Sequence, residues 1–173
     1  IGYKVLYSFF FEILRDAAGC MWSDEWQDGY HFDERKSGRY VTKNFNVKGG
    51  ETVVTPAGTF ENCLRVSFDY EAWGYFSGRS EYLFADGVGI VRFEHPYGDG
   101  KSAVWQLTEY KGTGEGFFPT NDGLFRRYEA EALSDGWHGS VEYTFDEDES
   151  GGVMLKDALG TQDRSCYEKA KKK

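Results

Sequence analysis

Along residues 63–70, Cys-Leu-Arg-Val-Ser-Phe-Asp-Tyr, apolar and polar positions alternate with a period of two. Leu64, Val66, Phe68 and Tyr70 share one face, and Arg65, Ser67 and Asp69 share the other, which should be wet. That is the pattern of a half-buried β-strand. Residues 80–85, 89–95, 103–110, 124–131 and 140–145 read as further strands. Between these runs glycine is frequent, and Asp-Gly recurs at 28–29, 86–87, 99–100, 122–123 and 135–136. Asp-Gly supplies the φ > 0 that tight hairpin turns require. Short runs joined by short turns predict a mainly β fold: a curved antiparallel meander sheet, as a half-barrel or a sandwich, with one or two short helices. The helix candidates are residues 9–19, ending at Gly19, and residues 165–173, opened by Ser165 with Glu168 three positions on. The competing reading of the first is a continuation of the strand pattern at 3–9.

One internal echo bears on domain organisation. At an offset of 107, Tyr3-Lys4 matches Tyr110-Lys111, Phe10-Phe11 matches Phe117-Phe118, and Asp28-Gly29-Tyr30-His31 matches Asp135-Gly136-Trp137-His138. The chain then divides into an antiparallel β domain, 1–112, and an extension, 113–173. The extension is a β-hairpin with a short C-terminal helix, read as the start of a second repeat. The natural joint is the Gly-rich stretch 110–123, within which 112–116 reads as a linker.

Composition narrows the function classes. Aromatics make up 18% of the 173 residues, enough to fill a core that a disordered chain would lack. The formal net charge of −9 opposes binding to nucleic acid or to anionic lipid. No run is long and apolar enough to span a membrane as a helix. The lysine-rich end, Lys169 and Lys171 to Lys173, reads as a solvated tail. Residues 1–20 imitate a lipoprotein signal ending in Ala-Ala-Gly-Cys, but Glu12, Arg15 and Asp16 interrupt the apolar run, so the stretch is read as folded protein. Cys20, Cys63 and Cys166 include no Cys-x-x-Cys pair. At most one disulfide can form, between Cys20 and Cys166 by this reading, with Cys63 a small buried hydrophobe.

Positive signs of catalysis are missing. His31, His95 and His138 fit no metal or nucleophile pattern, and no Gly-x-Ser-x-Gly elbow or phosphate-binding loop occurs. The 29 acidic residues could supply the paired carboxylates of a glycoside hydrolase, but nothing selects two of them. The sharpest chemical pattern is residues 146–157. There Asp146, Asp148 and Ser150 alternate, Gly151 is sixth and Asp157 is twelfth, which is the ligand spacing of a calcium loop. The competing reading is an acidic hairpin turn. For small-molecule binding, the loop aromatics Trp22, Trp26, Trp73, Tyr75 and Phe76 could stack beneath a sugar ring. Trp105, which alternates with Leu107, reads as core.

Residues 55–66, Thr-Pro-Ala-Gly-Thr-Phe-Glu-Asn-Cys-Leu-Arg-Val, carry a rigid corner, and residues 81–94 end in Gly-Val-Gly-Ile-Val. Together with Phe117-Phe118-Pro119 they resemble a pattern in bacterial envelope and secreted proteins whose domains have no assigned function. The resemblance covers about residues 40–110. It implies a curved sheet similar to the incomplete barrels of lipoprotein carriers, an extracellular or cell-envelope location, and no catalytic residues. The expected function is therefore a non-catalytic binding or scaffold module with no required cofactor. The alternatives are a glycan-binding module and a carrier of lipid or another apolar small molecule. An inner face of Leu64, Val66, Phe68, Phe84 and Phe93 that is open to solvent would mark a carrier, and a closed one a scaffold.

Overall fold

A computed structural model describes residues 28–29, 31–37, 40–72, 76–98, 101–117, 119, 122–132, 138–147 and 153–162. They form nine strands: β1 (His31–Ser37), β2 (Tyr40–Thr55), β3 (Gly58–Ala72), β4 (Phe76–Ala85), β5 (Gly89–Gly98), β6 (Lys101–Lys111), β7 (Phe125–Ala132), β8 (His138–Glu147) and β9 (Val153–Gln162). Each strand pairs antiparallel with the next, giving one open meander in the order β1 to β9. The sheet is thus mainly β as the alternation predicts, and a single sheet rather than two stacked ones. No helix occurs among the described residues, and both helix candidates lie outside them. The sheet runs unbroken through the region of the expected joint, because β6 pairs with β7 from Ala103↔Ala132 to Lys111↔Phe125.

Alternation explains the core. Val66 and Phe68 on β3 and Tyr82 and Phe84 on β4 are wholly buried, as are Leu107 on β6 and Val141 on β8. The opposite face is polar, and its charges pair with one another. Arg65 grips Glu51 with two bonds, at 2.7 and 2.5 Å, and reaches Glu81 at 2.6 Å. Arg127 bridges Glu142 at 2.5 Å and also Glu109. Ser67 departs from the expectation of a wet residue. It is 5% exposed because the Arg79 guanidinium donates to its hydroxyl at 3.2 Å and covers it.

Strands β1, β2 and β9 were not among the strands read from the sequence. Strand β1 is charged at Asp33, Glu34 and Lys36, as suits a strand with one neighbour. Strand β2 is irregular, with shifts of register against β3 after Lys43, Lys48 and Glu51. Asn44 and Asn62 both take a φ of 53°, a left-handed conformation that asparagine tolerates better than other non-glycine residues. The irregularity at Asn62 resets the alternation, so Cys63 and Leu64 are buried side by side. Cys63 is a packing residue as expected. Its Sγ donates to Phe60 O at 3.5 Å, and burial together with the nearby Glu51 charge raises its pKa.

The sheet curls. The turn Pro56-Ala57 between β2 and β3 folds onto β6, where Ala57 N donates to Leu107 O at 3.1 Å. Thr55 Oγ1 also accepts from Ala57 N, at 3.2 Å. Leu107 is available because β6 shifts register against β7 between Leu107 and Glu109. The Pro-Ala-Gly corner is therefore a clasp that turns an open sheet into a half-barrel, and Phe60 beside it packs against the core with its ring 5.9 Å from Tyr110.

Candidate functional site

The inner face of the half-barrel carries one aromatic ring from each of β1 to β6. Phe32 stacks on Phe45 at 4.6 Å, Phe45 on Phe68 at 5.9 Å, and Phe68 on Tyr82 at 5.9 Å. Tyr82 then stacks on Phe93 and Phe93 on Trp105, each at 5.6 Å. Successive planes differ by no more than 18°, so the rings form a ladder that crosses the sheet at right angles to the strands. The register makes this possible: Phe32↔Phe45, Tyr82↔Phe93 and Phe93↔Trp105 are direct cross-strand partners. Each such pair adds about 0.5–1.5 kcal/mol beyond simple burial. Tyr128 on β7 caps the series by meeting Phe93 edge-on at 5.8 Å while donating its hydroxyl to Ile90 O at 2.7 Å.

Burial along the ladder is graded. Phe45, Phe68, Tyr82 and Phe93 are between 0 and 7% exposed, whereas Phe32 and Trp105 at the two ends are half-buried. The face defined from the sequence by Leu64, Val66, Phe68, Phe84 and Phe93 is closed, with none of the five more than 7% exposed. All five belong to one contiguous core cluster that runs on to Leu124, Tyr128 and Val141.

The loop end of the sheet is sealed separately. Gly87 in the β4–β5 turn donates to Gly116 O at 2.8 Å, and Gly114 donates back to Gly87 O at 2.9 Å. Residues 112–116, read from the sequence as a linker, are thus pinned to a neighbouring turn. Beneath them lies Arg126, 2% exposed, whose Nε donates to Val88 O at 2.8 Å. Its Nη1 donates to Lys111 O at 2.9 Å and to Phe125 O at 2.7 Å, and the guanidinium lies 5.5 Å from the Tyr110 ring centre. Arginine suits this place because its planar fork serves several carbonyls at once. The only hint in the sequence is phase: Leu124, Arg126, Tyr128 and Ala130 alternate inward, and Arg126 interrupts an otherwise apolar set.

Most of the residues nominated from the sequence lie outside the described residues. Trp22, Trp26, Trp73 and Tyr75 lie outside the described residues, and Phe76 opens β4. Of the calcium pattern, Asp148 and Ser150 also lie outside them. Asp146 is on β8 and Asp157 on β9, where they pair with Met154 and Thr144. Glu147 pairs with Val153, so the strands that flank residues 148–152 are antiparallel neighbours. No group of three or more His, Cys, Asp or Glu side chains suited to a metal ion occurs among the described residues.

Comparison with known proteins adds one finding. A DUF3108-like family model, for a domain of unknown function, matches residues 34–104. The match takes in the Pro-Ala-Gly clasp, the Gly-Val-Gly turn and the ladder from Phe45 to Phe93, and stops one residue before Trp105. No curated protein and no solved structure matches the chain.

Proposed function

We propose that this chain is a non-catalytic scaffold module of an envelope or secreted protein, with its inner face used as a hydrophobic core rather than as a ligand surface. The observation that carries the reading is the closure of that face, where Val66, Phe68, Tyr82 and Phe84 are all 0% exposed. An apolar ligand gains affinity from surface it removes from water, and these rings have none left to offer. The outer face supports the same reading, because its arginines are already engaged by Glu51, Glu81, Glu109 and Glu142. The acidic balance, −9 overall, favours a partner other than nucleic acid. The location rests on the resemblance at residues 55–66 and 81–94.

Titration with 1-N-phenylnaphthylamine, a fluorescent apolar probe, tests the reading. A scaffold leaves the probe's emission at the level of buffer. A saturable rise at one probe per chain overturns the proposal in favour of a carrier of apolar molecules.

A further inference from the structure

Strands β2 and β3 run on past both of their neighbours. Pairing with β1 stops at His31↔Asn46 and pairing with β4 begins at Leu64↔Phe84, whereas β2 and β3 stay paired as far as Thr55↔Gly58. Among the described residues, 51–62 therefore form a two-stranded hairpin with no strand on either flank. The hairpin has two unlike faces. Thr52, Val54, Pro56, Thr59 and Glu61 are exposed, Val54 at 69%. Val53 and Thr55 are buried, and Ala57 and Phe60 pack against the core. Pairing of β5 with β6 ends at Arg92↔Gln106, and the next residue, Leu107, gives its carbonyl to the N–H of Ala57 at the hairpin tip. The hairpin thus closes the sheet where β5 and β6 part.

Its base and its tip are built differently. At the base both strands are irregular: Gly50 takes a φ of 82°, Asn62 a φ of 53°, and the register shifts on each side of Glu51. Irregularities of this kind bend a ladder locally and leave it paired on either side. The fork from Arg65 to Glu51 spans the base and keeps the two strands in register. At the tip the attachment is slight. Among the described residues it consists of one backbone bond, Ala57 N to Leu107 O at 3.1 Å, and the contact of Phe60 with Tyr110, 5.9 Å between ring centres. The Ala57 N–H also has an acceptor within the hairpin, Thr55 Oγ1 at 3.2 Å, so releasing Leu107 leaves no orphaned donor.

We propose that residues 51–62 are a hinged flap, which lifts from β6 about Gly50 and Asn62 while β2 and β3 remain paired, and so uncovers one end of the core without unfolding the sheet. Lifting breaks one tertiary hydrogen bond and takes Val53, Ala57 and Phe60 away from the core. The burial along the ring ladder stays intact, so this opening lies well below the free energy of global unfolding. The motion is independent of the scaffold reading, since the ladder stays covered throughout.

Cys63 reports the motion. It is wholly buried at the base of the flap, against Phe60 O and the Val53 backbone. With Cys20 and Cys166 replaced by serine, the rate at which iodoacetamide alkylates Cys63 in native buffer measures how often the flap lifts. Circular dichroism establishes that each variant keeps its sheet. Phe60→Ala should speed alkylation on the order of tenfold, because the ring stabilises the closed flap, and Phe60→Leu should speed it by less. Val141→Ala, on β8, should lower the urea midpoint of unfolding and leave the alkylation rate unchanged. Three results overturn the proposal: Val141→Ala speeds alkylation in step with its loss of stability, both Phe60 variants react at the parent rate, or Cys63 reacts only where urea unfolds the chain.

Discussion

At the scale of single residues, the polar groups that matter most are those whose partners are fixed by register. The fork that Arg65 presents to Glu51 holds that carboxyl below the ordinary glutamate range, because ionised Glu51 accepts two charge-assisted bonds, and burial opposes this only in part. A carboxyl with a lowered pKa in the folded state contributes stability that is fully present above its unfolded pKa. That contribution is lost as pH falls through the lowered value. Glu51→Gln should therefore cost about 1 kcal/mol at neutral pH, a modest figure because both partners are partly solvated. Urea unfolding at a series of pH values checks this. The gap between the two proteins should be widest at neutral pH and close as the solution becomes more acidic than the usual glutamate titration. Cys63 illustrates a simpler case, since its burial beside Leu64 follows from the backbone at Asn62 and its raised pKa follows from burial.

Turns, more than strands, set the shape at the scale of elements. The clasp at Ala57 and the paired loops at Gly87 and Gly114–Gly116 fix how far the sheet curls and how its end closes. Gly112, at a φ of 74°, shows how tight this end is: a Cβ there would lie 2.8 Å from Leu124 Cδ2. Arg126 ties three elements together by donating to Val88 in the β4–β5 turn, Lys111 at the end of β6 and Phe125 on β7. Arg126→Met removes these donors, one of them to a buried carbonyl, so it should cost about 1–3 kcal/mol. Arg126→Lys keeps the charge and loses the fork, and should recover less than half of the loss. Chemical denaturation of the three proteins measures both. A Met variant as stable as the parent would mean that the loop end is held by packing alone.

For the molecule as a whole, one core cluster extends from Phe45 on β2 to Val141 on β8, across the position where the sequence suggests a joint. Apolar burial that is continuous across a sheet makes it unfold as a unit. Hydrogen exchange should accordingly find the slowest amides of β3, β4, β6 and β7 opening at a single free energy. Exchange of β7 and β8 at a distinctly lower free energy would show that the region after residue 112 is a separate folding unit.

What the sequence determined by itself was local. Alternation over 63–70 and its counterparts placed β3 to β8, Asp-Gly pairs marked turns such as 86–87, and the inward phase of Leu64, Val66 and Phe68 named core residues correctly. Period and turn chemistry are properties of neighbouring residues, so they can be read without the fold. Tertiary structure alone decided how the strands meet. The ring ladder depends on which residue of β2 lies opposite which residue of β1 and β3, and β2 hides that register behind Gly49-Gly50 and a left-handed Asn44. The clasp joins Ala57 to Leu107, and Arg126 joins Val88 to Lys111, contacts between residues remote in sequence. Pairing is set by hydrogen bonds across space, and a linear pattern carries no record of which strand will supply them.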